Sequence, residues 1–287
     1  MCMSYKLKVQ RAFDKASSRY DEAAVLQKEV TQRMLERLDF IKIEPERVLD
    51  LGCGTGFALD DLLARYKKAQ CYAVDLAPNM LKLARKRGRL LRRPKVICAD
   101  AEALPFADSS FDLIFSSLMM QWVDDLDAFF AEVQRVLKPG GLFLFASFGP
   151  DTLKELRMSW AKVDDDAHVN MFMDMHDVGD AMIRMRYADP VMDVEHFVLT
   201  YNDVTALLRD LKYIGAHVVK DKTNKGLMSK QRFAALDEAY NEHKQGDKLP
   251  ATYEIVYGHG WGSDQTPPQM PMDNGEVRIS VDSIKRI

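Results

Sequence analysis

Residues 47–57, RVLDLGCGTGF, constrain the fold more than any other part of this 287-residue chain. Val48, Leu49, Asp50 and Leu51 form a short apolar run suited to a buried parallel strand. Gly52, Gly54 and Gly56 follow it, and then a stretch with helical periodicity. Glycines at such a strand-to-helix turn answer a need for positive φ or for a ligand lying too close to leave room for a Cβ. A tight connection with no ligand satisfies the same pattern, so the downstream sequence has to decide between the two.

Residues 71–75 (CYAVD) read as a second strand, ending on an acid about twenty residues past the turn, where doubly wound sheets bind ribose hydroxyls. Residues 96–100 (VICAD) make a third strand, again closing on an acid. Residues 111–117 make a fourth, and residues 142–147 a fifth after the helix stop Pro139-Gly140-Gly141. Residues 191–199 and 253–258 complete seven strands, with helices expected over 204–216 and 229–243 between the last two. The expected fold is therefore α/β: a doubly wound, Rossmann-like seven-stranded sheet with a helical lid inserted between the last two strands.

Composition excludes more than it selects. A hydrophobic content of 47% fits a globular chain, and a formal charge of −3 gives no general case for nucleic acid or membrane binding. The beginning, MCMSYKLKVQ, has no apolar signal core, and no apolar run approaches about 18 residues, so the cytoplasm is the expected location. Cys2, Cys53, Cys71 and Cys98 lack C-x-x-C spacing and read as small core residues without a disulfide; six scattered histidines lack metal-ligand spacing, so no metal is expected.

The D-x-G-x-G-x-G turn, the two strand-end acids and the L-K-P-G-G exit, all within residues 47–147, resemble the class I S-adenosylmethionine-dependent methyltransferases. The resemblance implies S-adenosylmethionine as cofactor, with S-adenosylhomocysteine as product. It implies Asp50 toward the ligand's amino group, Gly52, Gly54 and Gly56 along its methionine part, and Asp75 on the ribose hydroxyls. Asp100 and Ala101 would meet the adenine between Leu76 and Met80, Tyr20 would lie over the ligand, and Leu118 would stand where acceptor and reactive centre meet. Asp75 and Asp100 also suit plain helix N-caps, and Tyr20 a core aromatic.

Further segments resemble the biotin-pathway malonyl-[acyl-carrier-protein] O-methyltransferases, the BioC family. They are A-F-x-x-A-x-x-Y-D from Ala12, L-x-x-Q-W-V-x-D-L from Leu118, H-x-N-x-F from His168, D-L-K-Y-I-G-A from Asp210 and P-A-T-Y-E-I-V-Y-G from Pro250. That likeness implies O-methylation of the free carboxylate of malonyl-acyl carrier protein, an early step of biotin synthesis. The outline is also similar to complex I assembly factors linked to arginine hydroxylation, and a methyltransferase of a small lipophilic acceptor such as a quinone precursor fits as well. The expected organisation is N-terminal helices over the cofactor (1–40), a Rossmann-like core (41–150), an acceptor-specificity part with the lid (151–261) and a tail (262–287) with an edge strand over 276–281.

A malonyl carboxylate is already ionised near pH 7, so no general base is expected. A cation is, with Arg157 first and Lys212 second; Tyr213, Trp122 and His168 are further pocket candidates. Residues 5–20 read as one helix with a basic stripe of Lys8, Arg11, Lys15 and Arg19, of which Arg11, Lys15 and Arg19 are the candidates for docking the carrier protein. The basic stretch Lys220, Lys222, Lys225, Lys230 and Arg232 near the lid is a further docking candidate. The denser basic run 82–95 is expected some 15–20 Å from the site, at the end of a helix rising about 1.5 Å per residue.

Overall fold

The computed structural model describes residues 5–216, 218–220 and 229–264. In chain order its elements are α1 (Tyr5–Ala16), α2 (Tyr20–Ala23), α3 (Val25–Arg37), β1 (Arg47–Leu51), α4 (Leu59–Arg65), β2 (Gln70–Asp75), α5 (Pro78–Ala84), β3 (Lys95–Cys98), β4 (Phe111–Ser117), a 3₁₀ turn (Met120–Trp122), α6 (Leu126–Val136), β5 (Leu137–Phe148), α7 (Lys154–Ala161), α8 (Met175–Arg184), β6 (Ala188–Tyr201), α9 (Val204–Tyr213), α10 (Lys230–Asn241) and β7 (Leu249–Trp261). The strands form one seven-stranded sheet in the order β3-β2-β1-β4-β5-β7-β6. β1 to β5 are parallel, while β7 lies antiparallel between β5 and β6. The expected doubly wound sheet is thus present, with α9 and α10 between β6 and β7. No helix among the described residues is long and apolar enough to cross a membrane.

Both faces of the sheet are covered, which is why the central strands read as continuous apolar runs. Along β5, Phe143 and Phe145 face α6 and α8 in one core with Leu49, Phe130 and Met182. Leu142, Leu144 and Ala146 face the other core with Val30, Leu156, Leu236 and Tyr240. The alternation follows from the two-residue period of a strand.

Several local expectations change. β5 begins at Leu137, so the helix stop Pro139-Gly140-Gly141 is incorporated into the strand, where the pairing with β4 shifts register between Phe111 and Leu113. Cys98 is exposed rather than buried because β3 is an edge strand; Cys53 and Cys71 are buried, and all three are free thiols. The expected helix over 5–20 breaks after Ala16 into a turn and α2, which removes Arg19 from the basic stripe. The proposed edge strand over 276–281 and Cys2, Lys222 and Lys225 lie outside the described residues.

Candidate functional site

β1 delivers its chain into the glycine turn at the carboxyl edge of the sheet. The turn is anchored on β2, with the backbone N–H groups of Gly52 and Cys53 donating to the Val74 carbonyl at 2.8 and 3.0 Å. Gly52 has φ +75° and Gly54 φ +53°, the left-handed region that favours glycine. A Cβ on Gly52 would overlap the Met119 side chain, whereas one on Gly54 would meet nothing within 4 Å and would project into open space. Gly54 therefore forms a cradle floor. Gly56 packs against Leu59, Ala84 and Arg87, and Met80 is fully buried; neither lines the cavities described below.

Two acids stand behind this floor. Asp75 accepts hydrogen bonds from the backbone of Gly54 and Ala77, each at 2.8 Å. Burial pushes its carboxyl up to about 6, against the lowering effect of those two bonds. Asp50 is buried with one carboxylate oxygen, Oδ2, lacking any partner, and burial, followed by the nearby Asp75 charge, pushes it up to about 8. An orphaned buried acceptor beside an open glycine cradle is what a cationic amino group would satisfy. Asp50 lines a small chamber of ≈ 40 Å³ with Gln27 and Thr31. Tyr20, Gly52, Gly54 and Ser117 line both this chamber and a neighbouring cavity of ≈ 100 Å³.

That larger cavity holds Asp75, Leu76, Asp100, Ala101 and Leu118, and so brings together most of the residues expected to contact the cofactor. α1 roofs it with Val9 and Phe13. One side of this helix is latched by residues four apart: Lys6 pairs with Asp100 at 2.6 Å and with Glu102, Gln10 Nε2 donates to the Leu76 carbonyl at 2.9 Å, and the Asn79 N–H donates to Asp14 at 2.7 Å. Sequence reasoning missed Lys6 as a cavity residue. Its spacing from Gln10 and Asp14 on one helical face was the available signal. Tyr20 stands between Phe13 and Phe57, 6.4 and 6.3 Å from their ring centres. Leu118 turns left-handed at φ +51°, which directs the chain from β4 into the 3₁₀ turn carrying Trp122.

Trp122 lines both this cavity and a second one of ≈ 270 Å³, enclosed by α7, α9 and the loop after α7. The second cavity is walled by apolar side chains such as Phe148, Leu156, Trp160 and Leu211, with Lys212 and His168 among its lining. Lys212 is exposed, and its ammonium has no ion-pair or hydrogen-bond partner among the described residues. Arg157, the first candidate cation, is not on the cavity wall: its guanidinium donates to the carbonyls of Pro150 (2.5 Å) and Thr152 (3.4 Å). Leu153 precedes α7 in a left-handed conformation (φ +55°), and Arg157 closes the turn ahead of that helix by satisfying its carbonyls. Tyr213 is likewise off the wall. Its hydroxyl accepts from Arg19 at 3.3 Å, and the Arg19 guanidinium lies 5.4 Å from its ring centre.

Of the basic candidates, Arg11 and Lys15 are exposed on α1 without ion-pair partners among the described residues, while Arg19 is engaged with Tyr213. Lys220 and Arg232 are held in ion pairs with Asp124 and Asp164. Within the basic run 82–95, Arg87 donates to the Thr55 carbonyl at 3.0 Å, inside the glycine turn.

Residues 49–145 match the family described as Methyltransferase domain. Malonyl-[acyl-carrier protein] O-methyltransferase of Halorhodospira halophila is 51% identical over 280 residues, covering 97% of this chain and 95% of that protein. The protein of the same name from Laribacter hongkongensis is 49% identical, covering 94% and 93%. Among solved structures, the YcgJ protein of Bacillus subtilis superposes with a TM-score of 0.56 at 18% identity, covering 83% of this chain and 99% of that one, which is a likeness of fold.

Proposed function

The chain belongs to the malonyl-[acyl-carrier protein] O-methyltransferase family, and from that premise we propose that it transfers a methyl group from S-adenosylmethionine to the free carboxylate of a malonyl thioester carried on acyl carrier protein. The observation that carries this reading is the pair of cavities that share Trp122 in their walls, one including the glycine turn and the acids Asp75 and Asp100, the other apolar with a single Lys or Arg side chain among its described lining residues. The role that the resemblance implies is an early step of biotin synthesis. The assembly-factor and quinone-precursor readings gain nothing from relatives of this identity and coverage.

S-Adenosylmethionine supplies an electrophilic methyl group on a positively charged sulfur. Asp50 would hold its amino group, Gly52 and Gly54 would pass close beneath it, Asp75 would take the ribose hydroxyls, and Ala101 with Leu76 would border the adenine. Asp100 would face the adenine amine while sharing its carboxylate with Lys6, so α1 is tied to the ligand's far end. Tyr20 and Phe13 close the site from above and exclude water.

No side chain has to remove a proton, because the nucleophilic carboxylate is ionised near pH 7. Methyl transfer neutralises that carboxylate, so a strong ion pair would stabilise the starting state more than the transition state. Apolar walls at Trp122 and Phe148 strip water from the oxygen and raise its reactivity. What remains is to orient the carboxylate without trapping it, and Lys212 suits that role. It borders the cavity from an exposed position on α9, where solvent weakens the pairing. Arg11 and Lys15, exposed on the helix that roofs the neighbouring cavity, offer a surface for an acidic carrier.

The test is methyl transfer from labelled S-adenosylmethionine to malonyl-acyl carrier protein beside the acetyl form, which lacks the free carboxylate. Base-labile label on the malonyl form alone is expected. Label on both forms, or on neither while cofactor binding is intact, would refute the reading.

A further inference from the structure

The wall of the second cavity carries an imidazole held in place by two contacts. His168 is 10% exposed, lies parallel to the Trp160 ring with centres 3.6 Å apart and 8° between the planes, and hydrogen-bonds through Nε2 to Asp164 Oδ1 at 2.8 Å. Asp164 in turn accepts from Arg232 through its other oxygen, and Arg232 also reaches Asp166 at 3.3 Å. Burial tends to raise the Asp164 carboxyl, but the bonds from Arg232 and His168 outweigh it and bring it down to about 2. An ionised Asp164 can only accept, so Nε2 carries a proton, and Nδ1 is the ring position left to accept. Nδ1 has no partner among the described residues.

Neighbouring polar side chains are already engaged. Asn170 donates to the Val218 carbonyl at 2.8 Å and accepts from the Lys220 N–H at 2.9 Å; the Thr152 hydroxyl donates to the Glu254 carbonyl at 3.0 Å. A free acceptor on an apolar wall calls for an N–H donor from a ligand. Size points the same way. By one measure the second cavity is ≈ 270 Å³ against ≈ 100 Å³ for the cavity beside the glycine turn, so a three-carbon acyl group would leave most of it unfilled. With the carboxylate at the Trp122 junction, the rest of the acceptor must extend along this wall. In a carrier thioester, the group two methylenes beyond the sulfur is a secondary amide.

We propose that His168 reads the arm of the acceptor, its Nδ1 accepting the N–H of the first amide beyond the thioester, and that Asp164 and Arg232 are positioning residues that fix the ring and its tautomer. The assignment rests on the malonyl-thioester reading and adds the part of the acceptor that the cavity recognises.

The experiment compares two short malonyl thioesters of equal length: the N-acetylcysteamine thioester and its isostere with CH₂ in place of the N–H. Wild-type enzyme is expected to favour the amide by about tenfold in kcat/KM, the difference residing in KM, as one hydrogen bond warrants. His168→Leu is expected to bring that ratio to about one. Asp164→Asn can offer an N–H to Nε2, inverting the tautomer, and should also erode the ratio; a purely structural role would lower both substrates together. His168→Gln, which restores an acceptor oxygen, should recover part of the preference. Equal use of the two thioesters by wild type, or a preference that survives in both His168→Leu and Asp164→Asn, would overturn the proposal. Absence of transfer to malonyl-acyl carrier protein itself would overturn the methylation reading beneath it.

Discussion

Cofactor affinity should rise with pH, and Asp50 supplies the reason. Burial, with Asp75 beside it, pushes the Asp50 carboxyl up to about 8, so near neutrality it holds a proton. Pairing with a ligand ammonium needs the carboxylate, and that proton must leave on binding. Proton release makes the affinity increase by nearly one decade per pH unit below pH 7, about fiftyfold and roughly 2.3 kcal/mol between pH 6 and pH 8, and then level off. Below pH 6 a second proton joins, because Asp75, pushed up to about 6, must also be ionised to accept both ribose hydroxyls well. Isothermal titration calorimetry in buffers of different ionisation enthalpy measures this directly. About one proton should be released at pH 7, and Asp50→Asn should lose most of the affinity together with the pH dependence. The same variant should be more stable than wild type at pH 8. A carboxyl raised from 3.8 to about 8 by folding contributes stability below pH 3.8 that is lost as the pH rises through 8. The full span is on the order of 6 kcal/mol. A dissociation constant flat from pH 6 to 8 with no buffer dependence would refute the reasoning.

Other perturbations separate the parts of the site. Gly52→Ala forces a Cβ into Met119 at a left-handed backbone position and should cost about 1–3 kcal/mol of stability together with cofactor binding, read by thermal melting and calorimetry. Lys212→Ala should raise KM for a malonyl thioester about tenfold with kcat little changed, whereas Arg157→Ala should lower the melting temperature and leave KM near wild type; the opposite pattern would return Arg157 to the site. Charge reversal at Arg11 and Lys15 should weaken use of malonyl-acyl carrier protein more than use of a short malonyl thioester, with the gap closing at high salt; equal losses on both substrates would remove α1 from the docking surface.

What could be read from sequence was local, and what could not was remote. The run into Gly52 announces itself because strand and turn occupy eleven consecutive residues, and the acids Asp50, Asp75 and Asp100 lie at or just past the ends of strands that order themselves by the rules of parallel sheets. Lys6 meets Asp100 across 94 positions, and Arg232 meets Asp164 across 68, with no periodicity linking the partners. Arg157 illustrates a different failure. Its place on the helix after β5 is legible in the sequence, but a left-handed Leu153 and a turn with unsatisfied carbonyls took its guanidinium, a decision made by hydrogen bonding within seven residues rather than by topology. Tyr213 and Arg19 hide each other across 194 positions, since a candidate in the turn before α2 and one on α9 proved complementary to one another.

The placement of β7 between β5 and β6 sets a timetable for synthesis. β6 ends at Tyr201 and β7 begins at Leu249, so as the chain leaves the ribosome β6 emerges without the neighbour that later joins it to the sheet. The five parallel strands can pair with one another by Phe148, with only the β7 side of β5 left unpartnered. A nascent chain can therefore assemble the parallel part of the sheet while β6 waits for the last strand to enter between it and β5. Limited proteolysis of stalled chains ending before and after Trp261 would register that step as sudden protection of residues 188–201.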